Sequence, residues 1–138
     1  MNYIAQYNDL LQRGNIPAGR RVKKIYARLA DECAAQGGRY TFDEQRATRP
    51  ITFIERFCRH SKGEWAGKPV TLELFQKAFI QALFGFVDDS TGLRRYREAF
   101  FLCGRKNGKT TLLAGLSLYM LTADGEPGAE VYSTATKY

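Results

Sequence analysis

The chain has 138 residues, of which 44% are hydrophobic and 25% are charged, a globular composition that argues against a disordered protein. A formal net charge of +7 favours polyanionic partners such as nucleic acid, nucleotides or anionic membranes. No apolar run is long enough to cross a bilayer, the N-terminus lacks secretion-signal features, and three scattered cysteines with one histidine argue against zinc sites and His-dependent catalysis. We therefore expect a basic, soluble, cytoplasmic protein.

The first 95 residues are predicted to be mainly helical, because apolar side chains recur there at helical spacing. The predicted helices cover 3–13, 17–36, a third starting by Pro50, and a fourth from a Thr71 cap to Phe86. Residues 39–49 are too polar to assign, and 61–70 and 87–95 have loop composition. In the third helix we expect the apolar side chains to face inward, namely Phe53, Ile54, Phe57 and Cys58.

The second helix carries a basic cluster, Arg20-Arg21-Val22-Lys23-Lys24. Contacts to DNA phosphates need only Lys and Arg, so this cluster is one candidate for a DNA-facing surface. A solvated helix face explains the same residues equally simply, and the sequence leaves both interpretations open.

After Tyr96 the pattern changes to that of a strand, a helix and a second strand. Residues 98–103 and 129–134 are predicted strands, and the helix at 110–121 is apolar nearly all round, so it should be covered on several sides. The intervening 103–128 is long enough for a right-handed crossover between parallel strands. We predict an α/β fold divided into 1–49, 50–95 and 96–138.

Between the first predicted strand and the apolar helix lies Cys103-Gly104-Arg105-Lys106-Asn107-Gly108-Lys109-Thr110. This segment matches the end of the phosphate-loop pattern G-x-x-x-x-G-K-[ST], although its first glycine stands one place late. A strand before the motif and a helix after it are the context that the pattern requires. The alternative is an exposed basic turn in which Gly104 and Gly108 serve turn geometry alone.

The residue types suit a polyphosphate. Gly108 lets the backbone approach the anion closely, and the N–H groups at the start of the following helix point toward it. Lys109 supplies a positive charge to the outer phosphates, and the Thr110 hydroxyl is an oxygen ligand of the kind that Mg²⁺ prefers. Arg105 and Lys106 add positive charge beside them.

Three separated segments resemble the large terminase subunit of tailed bacteriophages, the motor that drives DNA into the capsid. The loop Arg105-Lys106-Asn107-Gly108-Lys109-Thr110 resembles the basic form of the phosphate loop in that family. The stretch from Ile54 through Gly63-Glu64-Trp65-Ala66-Gly67-Lys68-Pro69-Val70 to Gln76 resembles the lead-in to the loop, and Val131 to Lys137 resembles the next strand of the ATPase core. The resemblance implies N-terminal helices followed by a truncated parallel-sheet P-loop NTPase core of the ASCE type.

The resemblance also implies roles for individual residues. Gln76 matches a glutamine that contacts adenine, although a polar helix residue facing solvent would look the same in the sequence. Arg105 matches an arginine that stabilises charge on the transferred phosphoryl group, and with Lys109 it forms the implied catalytic pair. ATP and Mg²⁺ are the implied cofactors, and the implied nucleotide-binding residues are Gln76, Arg105, Lys106, Asn107, Gly108, Lys109, Thr110 and Thr111.

By the same resemblance, the partners are double-stranded DNA, the small terminase subunit, the portal and further copies of the large subunit, without a membrane, in the bacterial host cytoplasm. Family members are much longer, so the acidic strand end that holds Mg²⁺ (Walker B) and the nuclease domain are expected after Tyr138. An inactive prophage remnant, or a non-catalytic basic module that binds DNA or a partner, is the alternative.

The 138-residue chain is therefore expected to show no steady-state ATP hydrolysis, because neither Asp124 nor Glu126 is placed to hold Mg²⁺ or orient water. A phosphate-release assay checks this expectation. Turnover above background that disappears in Lys109→Ala would contradict it.

Overall fold

A computed structural model of the chain describes residues 1–35, 37–61 and 63–134. Within them the elements in chain order are α1 (Tyr3–Gln12), α2 (Arg20–Ala34), β1 (Tyr40–Phe42), α3 (Glu44–Phe57), a 3-10 turn (Gly63–Trp65), α4 (Leu74–Gly85), β2 (Phe86–Asp88) and α5 (Lys109–Thr122). None of these helices is both long and apolar enough to span a membrane, a finding limited to the described residues.

Side-chain caps determine where two of the helices begin. The Oδ1 atoms of Asn2 and Asp43 accept hydrogen bonds from the backbone N–H groups of Ala5 and Arg46, each at 3.0 Å. Because Asp43 caps α3, the helix starts at Glu44, so it has begun by Pro50 as predicted and includes part of the stretch 39–49 that was left unassigned. Pro50 lies buried inside the helix. The inward placement of Phe57 was wrong, because this side chain is 62% exposed.

Helix α4 packs against the other helices through a different part of its surface in each case. Its Ile80 and Phe84 join α3 and α5 residues such as Ile54 and Leu116 in the largest apolar cluster. Its Ala78 joins Tyr7 and Leu11 of α1 in a second cluster, and its Ala82 packs against a third that contains Leu29 of α2. The helix is therefore an internal scaffold of the described fold.

The two strands form a short antiparallel ladder that the sequence did not predict. Tyr40 pairs with Asp88, and Phe42 pairs with Phe86, so the start of α3 is held against the end of α4. The ring of Phe42 lies over Gly85, where a Cβ atom would stand 2.4 Å from Cε2 of that ring. Gly85 is therefore required by close packing between β1 and the end of α4.

The carboxylate of Asp88 organises the loop that follows β2. Its Oδ1 accepts hydrogen bonds from the Ser90 hydroxyl at 2.5 Å, the Ser90 N–H at 3.0 Å and the Thr91 N–H at 3.3 Å. Its Oδ2 accepts from Nε of Arg39 at 2.8 Å. The Ser90 hydroxyl, followed by the Arg39 guanidinium, holds the pKa of this carboxyl well below its usual range, because both stabilise the ionised form.

The strands predicted at 98–103 and 129–134 are irregular segments in this structure. A strand exists only through hydrogen bonds to a neighbour, and these two segments do not pair with each other. The fold is thus α/β with a small antiparallel sheet, and no parallel sheet forms among the described residues. Four groups of residues with a place in the sequence analysis lie outside the described residues: Gln36 at the predicted end of the second helix, Lys62, Ala135 to Lys137 at the end of the resembling segment, and Tyr138. The division into 1–49, 50–95 and 96–138 stays a prediction.

Gly85→Ala is expected to lower the free energy of unfolding by about 1–3 kcal/mol, because the added methyl group must displace the Phe42 ring and the Ala47 Cβ, 2.8 Å away. Urea denaturation followed by circular dichroism measures this change. Gly38→Ala is the matched control, since its nearest neighbour is the Tyr40 carbonyl oxygen at 3.9 Å. Equal midpoints for the two variants would contradict the packing argument.

Asp88→Asn is expected to lower the melting temperature, because an amide places a donor against Arg39 and accepts more weakly from Ser90. Since the folded-state pKa lies below the unfolded value of about 3.9, the stabilisation is complete at neutral pH and declines as the pH falls below about 4. The difference in melting temperature between the wild type and the variant should therefore become smaller as the pH falls from 7 to 3. A difference that is independent of pH would show that the carboxylate charge is not the cause.

Candidate phosphate-binding loop

The segment that matches the phosphate-loop pattern leads directly into the N-terminus of α5. Gly108 is the N-cap residue, and its carbonyl oxygen accepts the first helical hydrogen bond from Leu112 N at 2.9 Å. The N–H groups of Lys109, Thr110 and Thr111 in the first turn have no carbonyl of the preceding turn to bond. Lys109 and Thr110 are exposed, so this helix end is accessible to an anion.

The loop contains two residues with left-handed backbone. Lys106 has φ of 66° and Gly108 has φ of 69°, and Lys106 is the one non-glycine residue with positive φ in the described part of the chain. The Asn107 side chain closes the turn between them, since Nδ2 donates to the carbonyl oxygens of Gly104 at 3.1 Å and Arg105 at 3.4 Å. Left-handed residues within a tight turn bring successive N–H groups to one side, which is the backbone arrangement of anion-binding nests.

The charges within the segment that contains the loop have one sign. From 99 to 123 the sequence contains Arg105, Lys106 and Lys109 and no acidic residue. All three side chains are exposed, and the positive end of the α5 dipole adds to their field. The electrostatics therefore favour an anionic ligand at this end of the helix.

One aromatic side chain anchors the chain before it enters the loop. The ring of Phe101 stacks on Phe75 at a centroid distance of 6.3 Å and packs on Phe79 at 4.7 Å, which places it on one face of α4. Its neighbours Phe100 and Leu102 are 89% and 84% exposed. Phe101 is thus the residue of the predicted strand at 98–103 that attaches this segment to α4.

Gln76 connects α4 to the loop itself. Its side-chain oxygen accepts a hydrogen bond from the backbone N–H of Glu73 at 2.9 Å, and its Nε2 donates to the carbonyl oxygen of Asn107 at 3.1 Å. The residue is 5% exposed, so the alternative of a polar residue facing solvent is wrong. Gln76 was the one predicted nucleotide-binding residue outside the loop and α5, and the fold places it in contact with the loop.

Helix α5 is held through one face. Leu112, Leu116 and Tyr119 enter the main apolar cluster, and Gly115 lets α5 approach α3, since a Cβ atom there would stand 3.0 Å from Ile54 Cγ1. The expectation that the helix is covered on several sides does not hold among the described residues, where the opposite face is about half exposed at Leu113, Leu118 and Leu121. The start of α5 is nevertheless rigidly placed by the covered face.

Two contacts of the site were missed by sequence reasoning, the Phe101 anchor and the bond from Gln76 to the loop. The second had a signal, because a polar residue at position 73 followed by glutamine at 76 before an apolar run resembles a capping box. That pattern places the Gln76 side chain back over the helix N-terminus. The partner on the loop side had no local signal, because it lies 31 positions further along the chain.

Comparison with known proteins finds similarity over the residues that include α4, the loop and α5. Residues 74–138 match the family described as the ATPase domain of the terminase large subunit. The large terminase subunit of Enterobacteria phage HK97 is 44% identical over 73 residues, an alignment that covers 53% of this chain and 13% of the phage protein. No solved structure matches. Over the residues that these matches cover, the chain is similar to the ATPase domain of the terminase large subunit.

Proposed function

We propose that this chain is part of the ATP-binding unit of a phage DNA-packaging motor. The observation that carries the proposal is the junction of the loop and α5. Three features lie together there: left-handed backbone at Lys106 and Gly108, N–H groups of the first turn without a helical partner, and exposed basic side chains. A polyphosphate fits this arrangement because it presents several negative charges in a small volume. The family match over 74–138 supports ATP as the nucleotide.

Each residue at the junction of the loop and α5 has a proposed role in binding. The backbone N–H groups from Lys106 to Thr111 hold phosphate oxygens, and Lys109 contacts the outer phosphates as a flexible cation. Arg105 lies exposed at the loop tip, from which a guanidinium is free to stabilise charge on a phosphoryl group. The Thr110 hydroxyl, exposed on the first turn of α5, is the side-chain oxygen that would hold Mg²⁺. When bound, the metal neutralises charge on the phosphates.

We also propose that α5 is the helix that follows the phosphate loop in a parallel-sheet core of the ASCE type. The exposed leucines of α5 would then lie under that sheet, and Phe100 and Leu102 would lie in the strand that leads into the loop. The exposed apolar surface on both sides of the loop supports this proposal, because such surface is costly in water.

Double-stranded DNA, the small terminase subunit, the portal and further copies of this protein are proposed partners, in the cytoplasm of a bacterial host. The support is the identity shared with the HK97 protein, of which this chain spans only a small part. The net charge of +7 agrees with an anionic partner.

A non-hydrolysable ATP analogue with Mg²⁺ is expected to raise the melting temperature of the chain. A ligand that binds only the folded state increases the free energy of unfolding by RT ln(1 + [L]/Kd). At a ligand concentration 100 times Kd this amounts to about 2.7 kcal/mol. Lys109→Ala should remove most of the shift, whereas Lys24→Ala, an exposed lysine on α2, should leave it unchanged. Differential scanning fluorimetry measures all three proteins, and an equal shift in each would contradict the proposed site.

A further inference from the structure

We infer that Gln76 is a positioning residue that fixes the direction of the Gly108 N–H group, one of the proposed phosphate-binding donors of the loop. The inference rests on the proposed function, since it concerns the same loop. It differs from the adenine contact that the family resemblance implies for this glutamine, because it assigns the carboxamide to the protein's own backbone.

The carboxamide is committed at both ends in this structure. Its oxygen accepts from the Glu73 N–H at the start of α4, and its nitrogen donates to the Asn107 carbonyl. The side chain is buried, and a buried amide without hydrogen-bond partners is costly. The state in which both bonds form is therefore favoured over one in which a bond is broken. An adenine ring would have to displace one of them or use what remains of the hydrogen-bonding capacity.

The bond to Asn107 determines which way the next N–H group points. The peptide bonds of the described residues are trans, so the carbonyl of Asn107 and the N–H of Gly108 lie on opposite sides of one planar unit. Because the carbonyl faces Gln76 on α4, the Gly108 N–H faces away from α4. A carbonyl that turned toward the anion instead would repel it and remove one donor from the loop.

Gly108 is adapted to this contact. A Cβ atom at this position would lie 3.0 Å from Nε2 of Gln76, a tight contact that the carboxamide would have to relieve by moving. The glycine therefore does two things at once, since it adopts φ of 69° and leaves space for the carboxamide to reach the preceding carbonyl. Gln76 and Gly108 form one structural unit.

The test compares Gln76→Glu and Gln76→Met with Gln81→Met in the 138-residue chain. Glutamate keeps the acceptor for Glu73 but sets a carboxylate oxygen against the Asn107 carbonyl, whereas methionine removes both bonds at similar volume. Gln81 is the matched control, because it is also buried on α4 and bonds to Tyr3, Met1 and Thr48 and not to the loop. Titration calorimetry measures the affinity of each protein for a non-hydrolysable ATP analogue and for tripolyphosphate, both with Mg²⁺.

Both Gln76 variants should bind the two ligands about tenfold more weakly than the wild type, by the same factor for each ligand, with glutamate the weaker. Gln81→Met should bind both ligands like the wild type even where its melting temperature falls. Weaker binding of the ATP analogue with unchanged tripolyphosphate binding would overturn the inference and favour the adenine contact. A loss of affinity in Gln81→Met equal to that in Gln76→Met would also overturn it, since a general loss of stability would then explain both.

Hydrogen–deuterium exchange without ligand separates this inference from the proposed function. Peptides covering 103–111 should exchange faster in Gln76→Met than in the wild type and stay unchanged in Gln81→Met. If the wild-type chain binds neither ligand but the exchange differs as expected, the proposed function fails and the positioning role stands. Unchanged exchange in Gln76→Met overturns the positioning role whatever the binding result.

Discussion

Two buried carboxamides on α4 impose a hydrogen-bonding constraint around which the described fold is arranged. Gln81 is fully buried and satisfied by three partners, since its oxygen accepts from Tyr3 N–H at 2.7 Å and its nitrogen donates to the Met1 carbonyl and the Thr48 hydroxyl. Gln76 is satisfied by Glu73 and Asn107. A buried amide is costly unless it is paired, so each glutamine requires a distant segment to be in its place. Gln81 connects α1 and α3 to α4, and Gln76 connects the loop to α4.

The start of α4 is itself fixed from α3. Oε1 of Glu55 accepts a hydrogen bond from the Leu72 N–H at 3.0 Å and forms an ion pair of the same length with Nζ of Lys77. Both charged side chains are partly shielded from water, which makes this pair less subject to screening than a fully exposed one. Contacts with α3 therefore fix the first turn of α4, which carries Phe75 and Gln76, independently of its contact with the loop.

Local signals predicted the helices and the loop motif, but they did not reveal which distant segments pair. Periodicity located the five α-helices of the described residues, and the spacing of Gly108, Lys109 and Thr110 located the loop at the start of α5. The β1–β2 ladder was missed because Tyr40 and Asp88 lie far apart in sequence and each strand is only three residues long. The strand predicted at 98–103 failed for the converse reason, since an apolar composition does not supply a partner. The roles of Gln76 and Phe101 likewise depend on contacts between segments.

The geometry of the loop is determined by short-range contacts and by α4, without a parallel sheet beside it. Asn107 closes the turn on Gly104 and Arg105, Gly108 caps α5, and Phe101 anchors the lead-in on α4. Each of these contacts lies on the α4 side of the loop or within it. A sheet that covered the exposed leucines of α5 would add burial on the opposite face without altering any of them. In this fold the direction of the Gly108 N–H group therefore depends on the helical scaffold, which acts on it through the carboxamide of Gln76.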